Sequence, residues 1–296
     1  MYNTTHKRPF EVSQAEYPFQ DRWFQYKNAQ IHYVDEGETG PTVLLLHGNP
    51  TWSYLYRNVI KGLKDQCRLI AIDYPGFGMS QAPAGYKFTP QEQAEAVQTL
   101  INSLQLQNFI LVVQDWGGPI GISYAVKKPD NIRAIVLMNT WAWSASVPQY
   151  LFSLVIGGSI FGKWLITKKN FFAKTILPNG IFHKEKITDE LRNAYLAPFQ
   201  TANSRLRTWI FPRSIRKAKS WLTEIESQLS RLANTPAQIL WGKQDEPGFR
   251  PKEMKKWQSF LKLHETETLD DASHFVQEDR PDRLIANIKR AIERTK

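Results

Sequence analysis

Short uninterrupted apolar runs recur along the chain, and polar or helix-forming segments separate each run from the next. Runs of this kind predict strands that are buried on both faces, as the strands of a parallel sheet are. An alternation of polar and apolar residues at 23–35 predicts a β-hairpin ahead of them. The runs that predict buried strands are residues 42–46, 68–72, 109–113, 132–138, 237–242 and 265–269.

Helix signals lie between these runs. Thr89, Pro90 and Glu92 combine an N-cap residue, a proline at the first helical position and a capping-box glutamate. We therefore expect a helix over residues 90–104, and Pro281 opens a second one near the end of the chain. Apolar strands that alternate with helices indicate an α/β protein with a mostly parallel sheet.

This alternation is interrupted once. Residues 141–226 are rich in aromatic and basic residues and predict short helices, one of which starts at Thr188. The strand pattern then resumes and is completed. A helical cap inserted over the carboxyl edge of the sheet explains such an interruption. We predict a core domain of residues 1–142 and 227–296 and a cap domain of residues 143–226.

Charge is concentrated in the same insertion. The 296 residues carry a net charge of +10, and residues 151–220 hold 13 Lys plus Arg against 3 Asp plus Glu, which accounts for all of it. The first interpretation is a solvated basic face. Attraction of anionic partners or surfaces, or of an acid-rich mate in an oligomer, stays open. Because no nucleic-acid-binding module is visible, we expect no nucleic acid partner.

Three observations bear on compartment and membranes. Cys67 is the only cysteine, which excludes an intrachain disulfide and favours a reducing, cytoplasmic setting. The polar, basic start of the chain does not predict a secretory signal. No apolar stretch reaches the ~20 residues that a membrane span needs. The nearest, residues 150–162, is broken by two glycines, and beside the basic excess it predicts a homo-oligomer formed through the cap.

The candidate chemistry begins at residues 114–118, QDWGG, between the run at 109–113 and a helix predicted at 119–128. A strand, a glycine-rich turn and a helix form the nucleophile elbow of the α/β-hydrolase fold. Asp115 takes the place of the usual serine. A carboxylate needs no base and can attack a saturated carbon, which gives an ester. Val113 departs from the elbow pattern, which has glycine there, so taken alone the motif also fits an ordinary turn.

Two further residues complete a triad. Asp245 follows the run at 237–242, and His274 follows the run at 265–269. The chain order of nucleophile, acid and histidine is that of α/β-hydrolases. Because Asp115 releases no proton when it attacks, His274 is available to deprotonate the water that hydrolyses the ester. Asp245 would orient the imidazole ring and stabilise its charged form.

Asn49 and Trp116 supply the candidate hydrogen-bond donors. Their backbone N–H groups are placed to receive the oxyanion that forms during ester hydrolysis. Their side chains offer an amide and an indole N–H, and neutral donors suit a departing halide, which needs solvation rather than a proton. Taken singly, Trp116 also fits core packing, and Asn49 also fits a turn before Pro50.

Residues 47–57, HGNPTWSYLYR, and 114–119, QDWGGP, resemble the signature segments of the haloalkane dehalogenases. The similarity extends over residues 23–143 and 236–294. It implies Asp115 as nucleophile, His274 as base, and Asn49 with Trp116 as the halide pair. It also implies a helical cap, a halogenated alkane, water and halide ion as the small molecules bound, and neither a metal nor an organic cofactor.

The subfamilies differ in their acid and in their second halide donor. One has a glutamate after the sixth strand, where this chain has Asn139, so the acid is expected to be Asp245. The combination with Asn49 resembles the third subfamily, whose members tend to self-associate. Trp164 in the cap is the alternative second halide donor. Trp141 and Phe199 are the residues that we expect in the pocket wall.

Two other functions stay open at this point. An epoxide hydrolase would use the same triad but needs cap tyrosines to protonate the opening oxygen, and Tyr150 and Tyr195 are the tyrosines available for comparison. A non-catalytic binding protein with a hydrolase fold is the alternative from a different class. Such proteins usually lose a triad member, and none is missing here.

Overall fold

Eight strands form one sheet in the computed structural model, which describes residues 7–245, 249 and 251–295. The apolar runs are all strands, and the predicted hairpin is the first pair. The strands are β1 (Asp21–Tyr26), β2 (Ala29–Glu36), β3 (Thr42–Leu46), β4 (Arg68–Ile72), β5 (Phe109–Asp115), β6 (Ile132–Thr140), β7 (Ala237–Gly242) and β8 (His264–Leu269).

The sheet has the order β1-β2-β4-β3-β5-β6-β7-β8. Only β2 runs antiparallel to its neighbours; all other adjacent pairs are parallel. Every residue of the central strand β5 is buried. Leu111 and Val113 belong to the hydrophobic cluster on one face of the sheet, and Ile110 and Val112 to the cluster on the other. Burial on both faces explains why these strands are continuous apolar runs.

Helices connect the strands and cover both faces. Thr89 accepts a hydrogen bond from the Glu92 backbone, and the Glu92 carboxylate accepts one from the Thr89 backbone, so the predicted capping box is confirmed. The helices of the core are α1 (Arg57–Leu63), α2 (Pro90–Ser103), α3 (Gly117–Ala125), α10 (Pro251–Phe260), α11 (Val276–Asp279) and α12 (Pro281–Glu293).

The chain between β6 and β7 contains helices and no strand, which is the predicted helical insertion. The domain boundaries at 143 and 226 stay predictions. Two π-helical turns, Ser153–Gly157 and Phe172–Ile176, were not expected from the sequence. The helices of this cap are α4 (Val147–Phe152), α5 (Ile160–Lys169), α6 (Leu177–Asn179), α7 (Asp189–Leu196), α8 (Ala202–Lys217) and α9 (Lys219–Ser227).

The cap contacts the loop that follows β3. The Asn49 side-chain amide donates to the carbonyl oxygen of Thr208 in α8 at 3.2 Å, and the Trp52 indole donates to the carbonyl oxygen of Ala194 in α7 at 3.2 Å. This loop leaves the carboxyl end of β3, which is the edge of the sheet where ligands bind in α/β folds. The cap therefore lies over the edge that carries the candidate chemistry.

Candidate active site

Asp115 is the last residue of β5 and has a backbone φ of +49°. A non-glycine residue in this left-handed region is uncommon and marks a tight turn. The turn is secured by Thr140, whose hydroxyl donates to the Asp115 carbonyl oxygen at 2.6 Å. A Cβ on Gly117 would lie 2.3 Å from the carbonyl oxygen of Leu46. Strand, strained turn and glycine therefore form an elbow that projects the Asp115 side chain above the sheet.

The unexpected Val113 fits because the helix makes room for it. A Cβ on Gly121, in the second turn of α3, would lie 2.9 Å from a methyl group of Val113. The elbow needs a close approach of strand and helix, and a glycine on either element provides the space. Here the glycine is on the helix rather than on the strand.

Two backbone N–H groups hold the Asp115 carboxylate. The Asn49 N–H donates to Oδ1 at 2.8 Å, and the Trp116 N–H donates to the same carboxylate. Burial raises the pKa of Asp115, while His274 and these two N–H groups lower it, and the net pKa is above that of an ordinary aspartate. The two donors proposed for the oxyanion thus face the carboxyl group from which that oxyanion would form.

His274 lies between the two aspartates. Its Nδ1 is 2.7 Å from Oδ2 of Asp245, and its Nε2 is 3.6 Å from Oδ2 of Asp115. The ring is stacked on Phe249, with centroids 5.4 Å apart and planes 12° apart. Burial lowers the pKa of His274, but Asp245 and then Asp115 raise it, so the net pKa is above the ordinary value for histidine.

Asn139 holds Asp245 in place. Its amide nitrogen donates to Oδ2 of Asp245 at 3.0 Å and to the carbonyl oxygen of Gly242 at 2.9 Å, and its amide oxygen accepts from the Gly242 N–H at 2.9 Å. Asn139 follows the position where β6 ends its pairing with β7. In the sequence, Asn139 was noted only because it stands where one subfamily has a glutamate. In the structure, its hydrogen bonds hold the start of the loop that carries Asp245.

Gln114 contacts the other side of the histidine. Its amide nitrogen donates to the His274 carbonyl oxygen at 3.0 Å and lies 2.9 Å from Nε2 of the His274 ring. Because Nδ1 of that ring faces the Asp245 carboxylate, Nδ1 carries the proton in the neutral ring, and Nε2 accepts from Gln114. Sequence reasoning missed this contact; a polar residue inside a buried strand run was the only signal for it.

A cavity of about 400 Å³ lies above Asp115, between the sheet edge and the cap. Asn49, Trp116 and His274 also line it. Its walls are otherwise mainly apolar, as is usual for sites that bind small organic molecules. The other apolar side chains are Trp141, Pro148, Phe152, Phe172, Ile176, Pro212, Ile215 and Phe249.

Trp141 is thus in the wall as expected, but Phe199 is not. Phe199 is fully buried, and its ring packs edge-on against Phe77 of the core with centroids 5.9 Å apart. It therefore packs the cap against the core domain. Trp164 is also remote from the cavity: 45% of it is exposed, and its ring is stacked on Phe161 at the cap surface. The alternative halide donor therefore faces away from Asp115.

The side chains of Asn49 and Trp116 both line the cavity. No residue in the described part of the chain accepts a hydrogen bond from the Trp116 indole, whose ring packs edge-on against Trp141 at 4.8 Å. Asn49 uses one amide hydrogen on Thr208 and has a second available. Two neutral donors therefore meet beside the carboxylate, as a leaving anion requires.

The tyrosines that an epoxide hydrolase would need are elsewhere. Tyr195 is buried and donates its hydroxyl to Glu278, and Tyr150 is partly exposed on α4; neither lines the cavity. Over residues 7–245, 249 and 251–295, no group of three or more His, Cys, Asp or Glu is arranged to hold a metal ion. The charged and titratable residues that line the cavity are Asp115, Asp245, Glu253, Lys252 and His274.

Comparison with known proteins defines the class first. Residues 41–281 match the family described as the alpha/beta hydrolase fold. The chain is also similar to the crystal structure of haloalkane dehalogenase DbeA from Bradyrhizobium elkani, with a TM-score of 0.83 and 25% identity, covering 94% of this chain and 100% of that one. The sheet, the elbow and the inserted cap thus belong to a fold that solved structures share.

Sequence relatives narrow the class. The chain is 38% identical over 275 residues to haloalkane dehalogenase 2 of Mycobacterium tuberculosis, covering 92% of this chain and 94% of the relative. It is 31% identical over 288 residues to the cis-3-alkyl-4-alkyloxetan-2-one decarboxylase of Shewanella oneidensis, covering 94% and 90%. The chain therefore belongs to the haloalkane dehalogenase family of α/β-hydrolases.

Proposed function

We propose that this protein hydrolyses carbon–halogen bonds of halogenated alkanes to an alcohol, a halide ion and a proton, with Asp115 as the nucleophile. The observation that carries the proposal is the position of the Asp115 carboxylate. The Asn49 N–H holds Oδ1, the Trp116 N–H donates to the same carboxylate, and Oδ2 is 3.6 Å from the His274 ring at the wall of a mainly apolar cavity.

In the first step an oxygen of Asp115 attacks the carbon that bears the halogen, from the side opposite to it. The carbon–oxygen bond forms as the carbon–halogen bond breaks, and the halogen leaves with the bonding electron pair. The indole of Trp116 and the amide of Asn49 stabilise this charge as it develops. Removing one such donor costs about 100- to 1,000-fold in kcat in comparable sites.

In the second step His274 removes a proton from a water molecule that attacks the ester carbonyl carbon. The oxyanion forms on the carboxyl group held by the Asn49 and Trp116 N–H groups, and its collapse releases the alcohol and restores Asp115. Ester formation prepares this step, since the Asp115 charge raises the pKa of His274 in the free enzyme. When that charge disappears in the ester, the pKa of His274 falls, and the neutral base becomes more populated.

The shape and lining of the cavity favour small apolar substrates. A volume of about 400 Å³ is near the lower end of known small-molecule sites, and aromatic and aliphatic side chains form most of the wall. The Asp115–His274–Asp245 triad with the Asn49–Trp116 pair supports membership of the third subfamily. We infer that short halogenated alkanes are accepted.

The test is release of halide from 1-bromobutane and 1,2-dibromoethane by the wild type, by Asp115→Asn and by His274→Phe. Of these three proteins, only the wild type is expected to release bromide steadily. His274→Phe should release one bromide per enzyme and then stop, with the mass of an alkyl ester on Asp115. Asp270→Asn, at an exposed aspartate paired with Lys243, is the matched control and should behave as wild type. Steady release by Asp115→Asn would refute the mechanism.

The relative from Shewanella oneidensis supports a second candidate, the opening of a four-membered lactone, at 31% identity over most of the chain. Attack of Asp115 on the saturated ring carbon bonded to the ring oxygen would break that carbon–oxygen bond, and its electron pair would leave a carboxylate, which like a halide needs no proton. Loss of carbon dioxide would then form an alkene and expel Asp115 without water. Such turnover would survive in His274→Phe, whereas dehalogenation would not, so one variant separates the two reactions.

A further inference from the structure

The first two helices of the cap expose an unusual number of large apolar side chains. Ile160 is 91% exposed, Val147 73% and Phe161 63%. Large apolar side chains exposed together on neighbouring helices are typical of an interaction site in a folded protein. We call it the apolar cap face; its residues are Val147, Tyr150, Leu151, Phe152, Leu154, Val155, Ile160, Phe161 and Trp164.

The face belongs to a bent pair of helices that lies on the protein. Within residues 7–245, 249 and 251–295, no single helix is long and apolar enough to cross a membrane; residues 147–157 and 160–169 meet that test only together, by length and composition, and are bent by 68°. Their other side packs on α8, where a Cβ on Gly157 would lie 2.4 Å from the Arg213 nitrogen. Only the outward side is thus available to a partner.

The surroundings of this face are positively charged. The sequence contains no Asp or Glu between Asp130 and Glu185. Lys163, Lys168 and Lys169 are exposed on α5, and none of them forms an ion pair with the rest of the described chain. An apolar face with tryptophan and phenylalanine, bordered by lysines, is the composition of helices that lie in a membrane interface.

We propose that the apolar cap face docks the protein onto an anionic phospholipid surface, with α4 and α5 lying in the plane of the headgroups. The lysines of α5 would meet the lipid phosphates, and the apolar side chains would enter the acyl boundary. The charge decides against a second copy of the chain as the occupant. A symmetric contact through this face would bring together two segments that each carry the whole excess of +10.

Docking would place the cavity beside the lipid. Pro148, Gln149 and Phe152 of α4 line the cavity, and Phe152 is also 41% exposed on the apolar cap face. An apolar substrate dissolved in the membrane would therefore reach the cavity without crossing bulk water. The docking inference depends only on the surface and stands whether or not the proposed reaction is correct.

The experiment is flotation of the full chain with vesicles of phosphatidylcholine containing about one third phosphatidylglycerol, and with phosphatidylcholine alone. Binding to the anionic vesicles is expected, weakening as salt is raised. Replacing Ile160 and Phe161 by serine should weaken binding by about tenfold or more. Replacing Lys163, Lys168 and Lys169 by glutamine should weaken it by about 100-fold.

Matched controls separate docking from loss of fold. Leu263→Ser removes an apolar side chain that is 45% exposed on the core, and a triple glutamine variant at Lys64, Lys127 and Lys128 removes three exposed charges there. Both should bind like the wild type. All variants should keep the wild-type thermal melting transition and halide release from 1-bromobutane in the absence of vesicles; a cap variant that lost the transition would be replaced by the single change Phe161→Ser.

Two results would overturn the proposal. One is that the wild type does not float with anionic vesicles, or that the core control variants lose as much vesicle binding as the cap variants. The other is a concentration-dependent dimer that Ile160 and Phe161 substitutions abolish and that strengthens with salt. Salt screens repulsion between two like-charged copies but weakens attraction to an anionic membrane. The direction of the salt effect therefore distinguishes a second copy, which is the self-association predicted from the sequence, from the phospholipid surface.

Discussion

A Cβ atom on Gly48 would lie 2.3 Å from Oδ1 of Asp115 and 2.4 Å from the Asp115 Cβ. The two residues are this close because the next residue, Asn49, points its backbone N–H at the same oxygen, 2.8 Å away. A side chain at position 48 cannot be accommodated by moving a flexible tip, since the clash includes the root of the Asp115 side chain. The glycine is therefore part of the site that positions Asp115, the proposed nucleophile.

Gly48→Ala is accordingly expected to displace the Asp115 carboxylate and to lower kcat for bromoalkane hydrolysis by about 100-fold or more. Steady-state bromide release measures it. Gly158→Ala is the matched control, because the one tight contact of a Cβ there would be with the flexible end of Arg216 at 3.0 Å. Unchanged activity in Gly48→Ala would show that the nucleophile does not need this close packing.

Asn139→Ala should destabilise the protein by about 2 to 4 kcal/mol, because it leaves the N–H and the carbonyl of Gly242 without their buried partner. It should also reduce kcat, since Asp245 loses its amide donor. Asn170→Ala is matched in burial and in positive φ but lies away from the triad. Denaturant unfolding should show that both variants are less stable than the wild type. Halide release should show a lower kcat in Asn139→Ala alone. A lower kcat in both variants would argue against a role of Asn139 in positioning Asp245.

Gln114→Leu should move the acid limb of the hydrolysis step to higher pH. The Gln114 amide donates to Nε2 of His274 only when that nitrogen is unprotonated, so the contact favours the neutral ring and lowers the pKa of His274. Removing the donor raises that pKa, and more of the base is then protonated at a given pH. The pH dependence of single-turnover ester hydrolysis tests this, with the buried Gln238→Leu on β7 as control. An acid limb that stays in place would assign Gln114 a purely structural role.

The pKa of His274 should be lower in Asp115→Asn than in the wild type. The negative charge of Asp115 favours the imidazolium form, so removing it favours the neutral ring, as ester formation would. Nitrogen-15 NMR titration of the histidines measures this pKa, with the His274 signals assigned by their loss in His274→Gln. Asp270→Asn should leave the value unchanged. An equal or higher pKa in Asp115→Asn would mean that Asp115 does not control the base.

Trp116→Phe should reduce kcat/KM for bromoalkanes by about 100-fold, because the ring can still pack but the indole N–H is lost. The backbone N–H at this position remains, so hydrolysis of the ester is affected less than its formation. Trp164→Phe tests the alternative donor from the cap and should have no effect, since Trp164 lies at the surface. Comparing bromide release in the burst with that in the steady state separates ester formation from ester hydrolysis. A larger loss of activity in Trp164→Phe than in Trp116→Phe would place the second halide donor in the cap.

The strands along the chain were predictable because the information is local. A run such as residues 109–113 is apolar at every position, which is typical of a strand buried on both faces. The predictions stopped at Val113 and Met138, whereas β5 and β6 continue to Asp115 and Thr140. The last two residues of each strand are polar, and they are held by pairing across the sheet, where Gln114 lies opposite Met138 and Asp115 opposite Thr140.

The sequence by itself determined the elbow, the order of the three candidate triad residues and the helical insertion, since each depends on neighbouring residues or on chain order. The tertiary structure alone decided that Trp141 lines the cavity while Phe199 packs the cap against the core, and that Asn139 contacts Asp245 and Gln114 contacts His274. These contacts join residues more than a hundred positions apart, and local patterns carry no information about which distant side chains meet when the cap and the sheet edge pack together.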